Sequence, residues 1–197
     1  AAFTIPSNLF SAAPNITNLT INRAGGITIG NQAFTINGAL NLIDGAFDVL
    51  NTSLTFLTGA TPITRTSGTL TVGSSSSLSF GTNAGLFTIP DNTFTNAPAI
   101  TGLTINRAGG VSLGNQSLTL SGTLTLTSGA FAVGANTLTF HTSNTPISRS
   151  SGTINLGISS NLVFGTPGNI GGNAFSIPNS TFTTAPTFNN LTINRTN

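Results

Sequence analysis

The five arginines of the chain stand at Arg23, Arg65, Arg107, Arg149 and Arg195, at successive intervals of 42, 42, 42 and 46. Spacing that regular means one segment has been written several times over, and such a chain folds by stacking each copy on its neighbours. Four arginines stand in the phrases "INRAGG", "ITRTSG", "INRAGG" and "ISRSSG", and the fifth in "INRTN". The full period is twice as long. "FTIPSNLFSAAPNITNLTINRAGG" from Phe3 returns as "FTIPDNTFTNAPAITGLTINRAGG" from Phe87 and as "FSIPNSTFTTAPTFNNLTINR" from Phe175, at spacings of 84 and 88. The lengthening falls where "GTNAGL" at 81–86 becomes "GTPGNIGGNA" at 165–174, a Gly-rich stretch that predicts an extended surface loop. The chain therefore divides into repeats 3–86, 87–174 and a partial 175–197 within one continuous unit, 1–197. Opening on "AAFTIP" and stopping on "INRTN" in mid-repeat, it carries the expectation of a segment of a longer array.

Within each repeat, triplets of the form apolar, small polar, apolar recur: "LTI" at 19–21, "FTI" at 34–36, "LTF" at 54–56, "LSF" at 78–80, and onward to "LTI" at 191–193. A period of two puts Leu19 and Ile21 on one face and Thr20 on the other, which is a strand pattern. Other strands, such as "LNL" at Leu40 and "FAV" at Phe131, lie between them, separated by Gly, Ser, Asn and Pro clusters that make turns. The marks begin at Leu19, Phe34, Leu54 and Leu78, and again at Leu103, Leu118, Leu138 and Leu162, before the last at Leu191. Four unequal steps thus fill each long repeat, and their average of about 21 residues suits one coil of a β-solenoid. The step from Leu19 to Phe34 is short for three faces. The predicted class is all-β, an elongated parallel β-solenoid about 40 Å long. Tandem β-sandwich modules are the alternative, disfavoured because the self-similarity continues below the long period and no Trp, Tyr or Cys is present for a sandwich core.

This fold places Leu19, Ile21, Leu54, Phe56, Leu103, Ile105, Leu138 and Phe140 inside. An outward polar ladder runs Thr20, Thr35, Thr55, Ser79, Thr104, Thr119, Thr139 and Thr192, interrupted by Val163. Proline cannot donate to a ladder, so Pro6, Pro14, Pro90, Pro98, Pro178 and Pro186 belong at strand ends or corners, raising one ridge per repeat for lateral contact with other copies.

Composition narrows the function. Only 4% of residues are charged, and the net charge of +2 comes from five Arg set against Asp44, Asp48 and Asp91. With no Lys and the arginines dispersed, there is no basic patch for nucleic acid. No apolar run is long enough to span a membrane. A surface of Thr, Ser, Asn and Gly suits a secreted or cell-surface protein. Asp44 and Asp48 become Ser128 and Ala132 in the next repeat, and His141 stands alone, expected outward and exposed, so neither a metal cluster nor a triad can be assembled. No catalytic residue and no cofactor is expected, and a polysaccharide lyase or hydrolase would need clustered acids and bases. The arginines are expected to tie down turn carbonyls, with phosphate or acidic polysaccharide as the competing role. An ice-binding face is weakened by mixed flanks, such as Ser53 with Leu57 and Thr137 with His141.

The phrases "IPNSTFTTAPTFNNLTINR", "GNQSLTLSGTLTLTSGAFAVGANTLTF" and "TPISRSSGTINLG" resemble the long Thr-, Asn- and Gly-rich repeats of giant secreted surface proteins of Bacteroidota, many exported by the type IX secretion system. The resemblance covers essentially the whole chain. It implies a stalk, adhesin or filament shaft, self-associating into an oligomer or bundle, with surface glycans as the alternative partner.

Overall fold

The computed structural model describes residues 1–141, 145–165 and 174–194, and among them the regular structure is entirely short strands. The first repeat contributes β1 (Phe3–Ile5), β2 (Asn15–Ile16), β3 (Leu19–Asn22), β4 (Ile27–Ile29), β5 (Phe34–Ile36), β6 (Leu40–Asp44), β7 (Ala46–Asp48), β8 (Ser53–Phe56), β9 (Ile63–Arg65), β10 (Thr69–Thr71) and β11 (Ser77–Phe80). The second contributes β12 (Phe87–Thr88), β13 (Ala99–Ile100), β14 (Gly102–Asn106), β15 (Val111–Ser112), β16 (Leu118–Leu120), β17 (Leu124–Ser128), β18 (Ala130–Gly134), β19 (Thr137–Phe140), β20 (Ile147–Arg149), β21 (Thr153–Leu156) and β22 (Asn161–Phe164). β23 (Asn190–Ile193) belongs to the third.

The ladders between these strands are parallel. The chain is therefore a parallel β-solenoid, and the sandwich alternative, which needs antiparallel sheets, is excluded. The coil has three sides. β1-β4-β7-β10 form the first, β2-β5-β8-β11-β14-β17-β20 the second and β3-β6-β9 the third. Further up, β13-β16-β19-β22-β23 continue the first side and β12-β15-β18-β21 the third. The Leu70–Phe94 bridge carries the first side across the join. The seven-stranded second side alone is roughly 29 Å tall, at about 4.8 Å per strand.

Eleven strands per repeat on a three-sided coil amount to three and two-thirds turns. Each repeat consequently starts one side away from the last: β1 lies on the first side and its equivalent β12 on the third, while β3 lies on the third and its equivalent β14 on the second. This corrects the division of a repeat into four coils. The short step from Leu19 to Phe34 is a passage along two sides, from β3 to β5, and is not a coil of its own. Along the second side, true turns run from Ile16 to Ile36, then to Phe56, Phe80, Ile105 and Leu126. Each of these turns takes about 20–25 residues, within the ordinary range for a solenoid coil.

Alternation along the strands fills one continuous apolar interior. Ile21, Leu54, Phe56, Leu103, Ile105, Leu138 and Phe140 are buried within it, and Leu19 packs against it half-buried. In-register stacking puts like on like: Phe56 lies on Phe80 with ring centroids 5.3 Å apart, and Phe140 lies on Phe164 at 5.2 Å. Offset ring pairs of this kind add about 0.5–1.5 kcal/mol to the burial of the rings themselves.

All the described prolines lie outside strands. Pro14, Pro62, Pro98 and Pro146 each stand just before a strand and give their carbonyl to an amide of a neighbouring coil, Thr35, Leu40, Thr119 and Leu124 respectively, at 2.9 Å in each case. A residue with no N–H serves there as acceptor only, and its fixed φ starts the next strand. The segments bearing the prolines lie on different sides in successive repeats, because 6–14 lead from β1 to β2 and 90–98 from β12 to β13. Any ridge they raise winds around the rod.

Candidate functional site: the arginine corners

The arginine positions share a spacing in the sequence but fall into two structural kinds. Arg23 and Arg107 open an "RAGG" corner, in which the arginine carbonyl accepts the N–H of the second glycine, Gly26 or Gly110, at 2.7 Å. Those glycines have φ of 73° and 85°. Gly129, with φ of 75°, is pressed so close onto the Arg107 backbone that a Cβ would meet its carbonyl oxygen at 1.8 Å. Gly129→Ala should therefore destabilise the fold by about 2–4 kcal/mol, from the left-handed backbone and the clash together, as read by thermal unfolding.

At Arg107 the side chain runs down two coils. Nε donates to the Gly85 carbonyl at 2.6 Å, one Nη to Gly59 at 2.9 Å, and the other to Ala60 at 2.6 Å and to Asn83 Oδ1 at 3.3 Å. The guanidinium carbon lies 5.8 Å from the Phe87 ring centroid. Arg107 is 1% exposed and its four partners are all neutral oxygens. Burial pushes its pKa below the ordinary arginine value, and the fork of carbonyls is what holds a charge there. Its equivalent Arg23 is exposed, with one contact of 3.4 Å to the Ala1 carbonyl and a comparable position 6.0 Å from Phe3.

Arg65 and Arg149 do something simpler. Arg65 donates to Ser67 O at 3.3 Å, and Arg149 to Gly152 O at 2.7 Å and Ser151 O at 3.3 Å, each closing its own turn. Arg195 lies outside the described residues, as do residues 166–173 of the stretch 165–174 expected to form an extended surface loop.

The outward hydroxyls do not form one ladder. Thr20 is on the third side beside Asn41 and Thr64; Thr35, Thr55, Ser79 and Thr104 are on the second; Thr119, Thr139, Val163 and Thr192 are on the first. The one-side offset between repeats is the cause. Several outward polar residues bond to one another along the axis: Asn41 Nδ2 donates to Thr20 Oγ1 at 3.2 Å and Thr64 Oγ1 to Asn41 Oδ1 at 2.7 Å.

Asp44 and Asp48 are turn caps. Asp44 accepts the Gly45 amide and Asp48 the Leu50 amide, both at 2.8 Å. Leu50 has φ of 49°, a conformation that costs a non-glycine residue about 1–2 kcal/mol. In the next repeat the equivalent of Leu50 is Gly134, with φ of 67°, and the equivalent of Asp48 is Ala132. The cap is present where the strained residue is, and absent where glycine removes the strain. Asp48→Ala should cost about 1 kcal/mol, and clearly less in a Leu50→Gly background, a coupling that a double-mutant cycle would measure. His141 is half-buried at the end of β19, its amide donating to Leu120 O at 2.7 Å. Among the described residues no three of His, Asp or Glu gather to hold a metal ion, and no helix is long and apolar enough to cross a membrane.

Fold and corners together define a three-sided parallel β-solenoid built from repeats offset by one side. No family model matches the chain, and no curated protein or solved structure similar to it was found.

Proposed function

We propose that the chain is a non-enzymatic structural segment of a secreted or cell-surface protein, a stalk, adhesin or filament shaft that sets another part of the protein at a distance and self-associates into an oligomer or bundle. The observation that supports this reading is the uninterrupted stack: one apolar interior runs through both full repeats, and the join between them is cross-braced by Arg107. Such a stack grows by a fixed rise per coil and resists bending, which is what a spacer requires. Few charges keep repulsion between packed copies small. The resemblance to Bacteroidota surface repeats points the same way and suggests export by the type IX system.

The one-side offset adds a consequence for bundling. Equivalent surfaces face the same direction only every third repeat, so copies would associate around the rod in a winding pattern. Electron microscopy of the native full-length protein tests the proposal, with thin rods or bundled shafts as the expected result and compact particles as the contrary one. A second reading, an adhesin face for surface glycans, draws on the hydroxyls of Thr35, Thr55, Ser79 and Thr104, which stand in register on one side and could give avidity from weak contacts. Saturable glycan binding by isolated monomers would favour it over the structural role.

A further inference from the structure

From β1 to β8 every strand pairs with the third strand after it, one coil further along, and the same holds from β11 to β19. The rule fails at β9 and β10, and again eleven strands later at β20 and β21. β9 ends its sheet without pairing with β12, and β20 is likewise the last strand of its sheet among the described residues. β10 and β21 each meet the next coil at an isolated bridge, Leu70–Phe94 and Ile154–Phe182. The break therefore recurs once per repeat, at the strand that carries Arg65 or Arg149 and at the strand after it.

At the first break the backbone is left open on both edges. Alternate residues of a strand in a parallel sheet turn their amide and carbonyl to opposite neighbours. Leu40 N–H donates to Pro62 O and Thr66 N–H to Leu42 O, so these groups of β9 face down while Ile63 and Arg65 face up toward β12. Phe87 and Ile89 donate upward to Gly110 O and Ser112 O, which turns Thr88 down toward β9. The facing groups of the two strands find no backbone partner across the join. Arg65 Nε, in the same strand, is buried without a hydrogen bond.

Side chains span the open side instead. Gly59 and Ala60 lie in the corner that leads into β9, and Asn83 and Gly85 in the corner that leads into β12. Arg107 ties the two together through the carbonyls of Gly59, Ala60 and Gly85 and through Asn83 Oδ1. Asn83 Nδ2 in turn donates to Thr58 O at 2.8 Å. Only the second side keeps a full ladder across the join, with Ser77–Phe80 in register with Gly102–Ile105.

We infer that the join is a hinge: the β11–β14 ladder is its axis, the unpaired third side is where it opens, and Arg107 with Asn83 is the latch that holds it shut. Opening breaks the two bonds of the Leu70–Phe94 bridge, Leu70 N–H to Thr93 O at 2.7 Å and Thr95 N–H to Leu70 O at 3.3 Å, and leaves the coils within each repeat intact. At the second break the continuous ladder, β22–β23, is on the first side, and the strand that ends its sheet, β20, is on the second. Successive hinges therefore open in directions one side apart, so an array of these repeats yields in every direction while each repeat stays stiff. The hinge follows from the strand pairing alone and does not depend on the stalk reading.

The chain has no Cys, so labelling pairs can be introduced cleanly. Thr64 and Thr88 are exposed on the two edges of the open side, and Ser79 and Thr104 are ladder partners on the axis. Nitroxides on Thr64→Cys with Thr88→Cys, and separately on Ser79→Cys with Thr104→Cys, report each spacing through dipolar broadening of the electron paramagnetic resonance spectrum. Adding Arg107→Ala should remove most of the broadening from the first pair and leave the second unchanged. In the parent chain, native-state hydrogen exchange should be at least about tenfold faster at the amides of Leu70 and Thr95 than in β5 and β16, with a weak dependence on denaturant. Broadening kept by both pairs, or lost from both, overturns the hinge. If Arg107→Ala does not fold, the parent chain decides: exchange at Leu70 and Thr95 only through global unfolding overturns the hinge, and exchange ahead of it upholds the hinge.

Discussion

Arg107→Ala is expected to destabilise the chain by roughly 3–5 kcal/mol, measured as a shift in the denaturant midpoint. The truncation removes four hydrogen bonds and takes from the carbonyls of Gly59, Ala60 and Gly85 the donors that Arg107 supplies. Arg23→Ala, the same change one repeat earlier, should leave the midpoint almost where it was, because that side chain is exposed and makes a single long contact. Arg107→Lys separates charge from shape. An ammonium keeps the charge but cannot present Nε and two Nη groups to three carbonyls on two coils, so most of the loss should remain. If Arg107 and Arg23 proved equally tolerant, the join between repeats would have to be held by its backbone ladders and apolar stacking without help from the guanidinium.

The sequence carried the period, the strands and the inward residues, and it did so for a physical reason. A parallel stack in register repeats the same neighbour at every coil, so each strand announces its own inner and outer faces through residues such as Leu54, Thr55 and Phe56. What the sequence did not disclose was the number of sides swept per repeat. A step as short as that from Leu19 to Phe34 fits either a two-sided coil or two sides of a three-sided one, and only the pairing of β3 with β6, rather than with β5, decides between them. That ambiguity is why the outward threonines read as one rank in the sequence. The alternation of arginine roles was equally hidden, since "INR" and "ITR" differ little while the coil beneath each differs greatly. The tripeptide Gly-Asn-Gln recurs at 30–32 and 114–116, but only the structure shows what it does at the second, where the Gln116 side chain pairs with the Phe94 backbone.

Placing an aspartate on the inner or the outer face of one strand isolates the role of the apolar interior. Leu138 is fully buried in β19 between Leu118 below and Leu162 above, and Thr139 beside it is half-buried between Thr119 and Val163. Leu138→Asp brings a carboxyl group into a column of leucines where no donor faces it. The lost apolar burial and the unpaired polar group together should cost at least about 4–5 kcal/mol, enough to melt the surrounding coils. Thr139→Asp introduces the same residue, with the same poor strand propensity, one position along the same strand, but its carboxylate reaches water, so about 1 kcal/mol or less is expected. Because propensity and charge are common to both variants, the gap between their melting temperatures measures the sidedness of the strand. The stack also predicts where the damage spreads. Apart from the long reach of Arg107, a coil is held chiefly by the coils directly above and below it, so hydrogen exchange in Leu138→Asp should accelerate first in β16 and β22, while β4 and β5, several coils away, keep the protection of the parent chain.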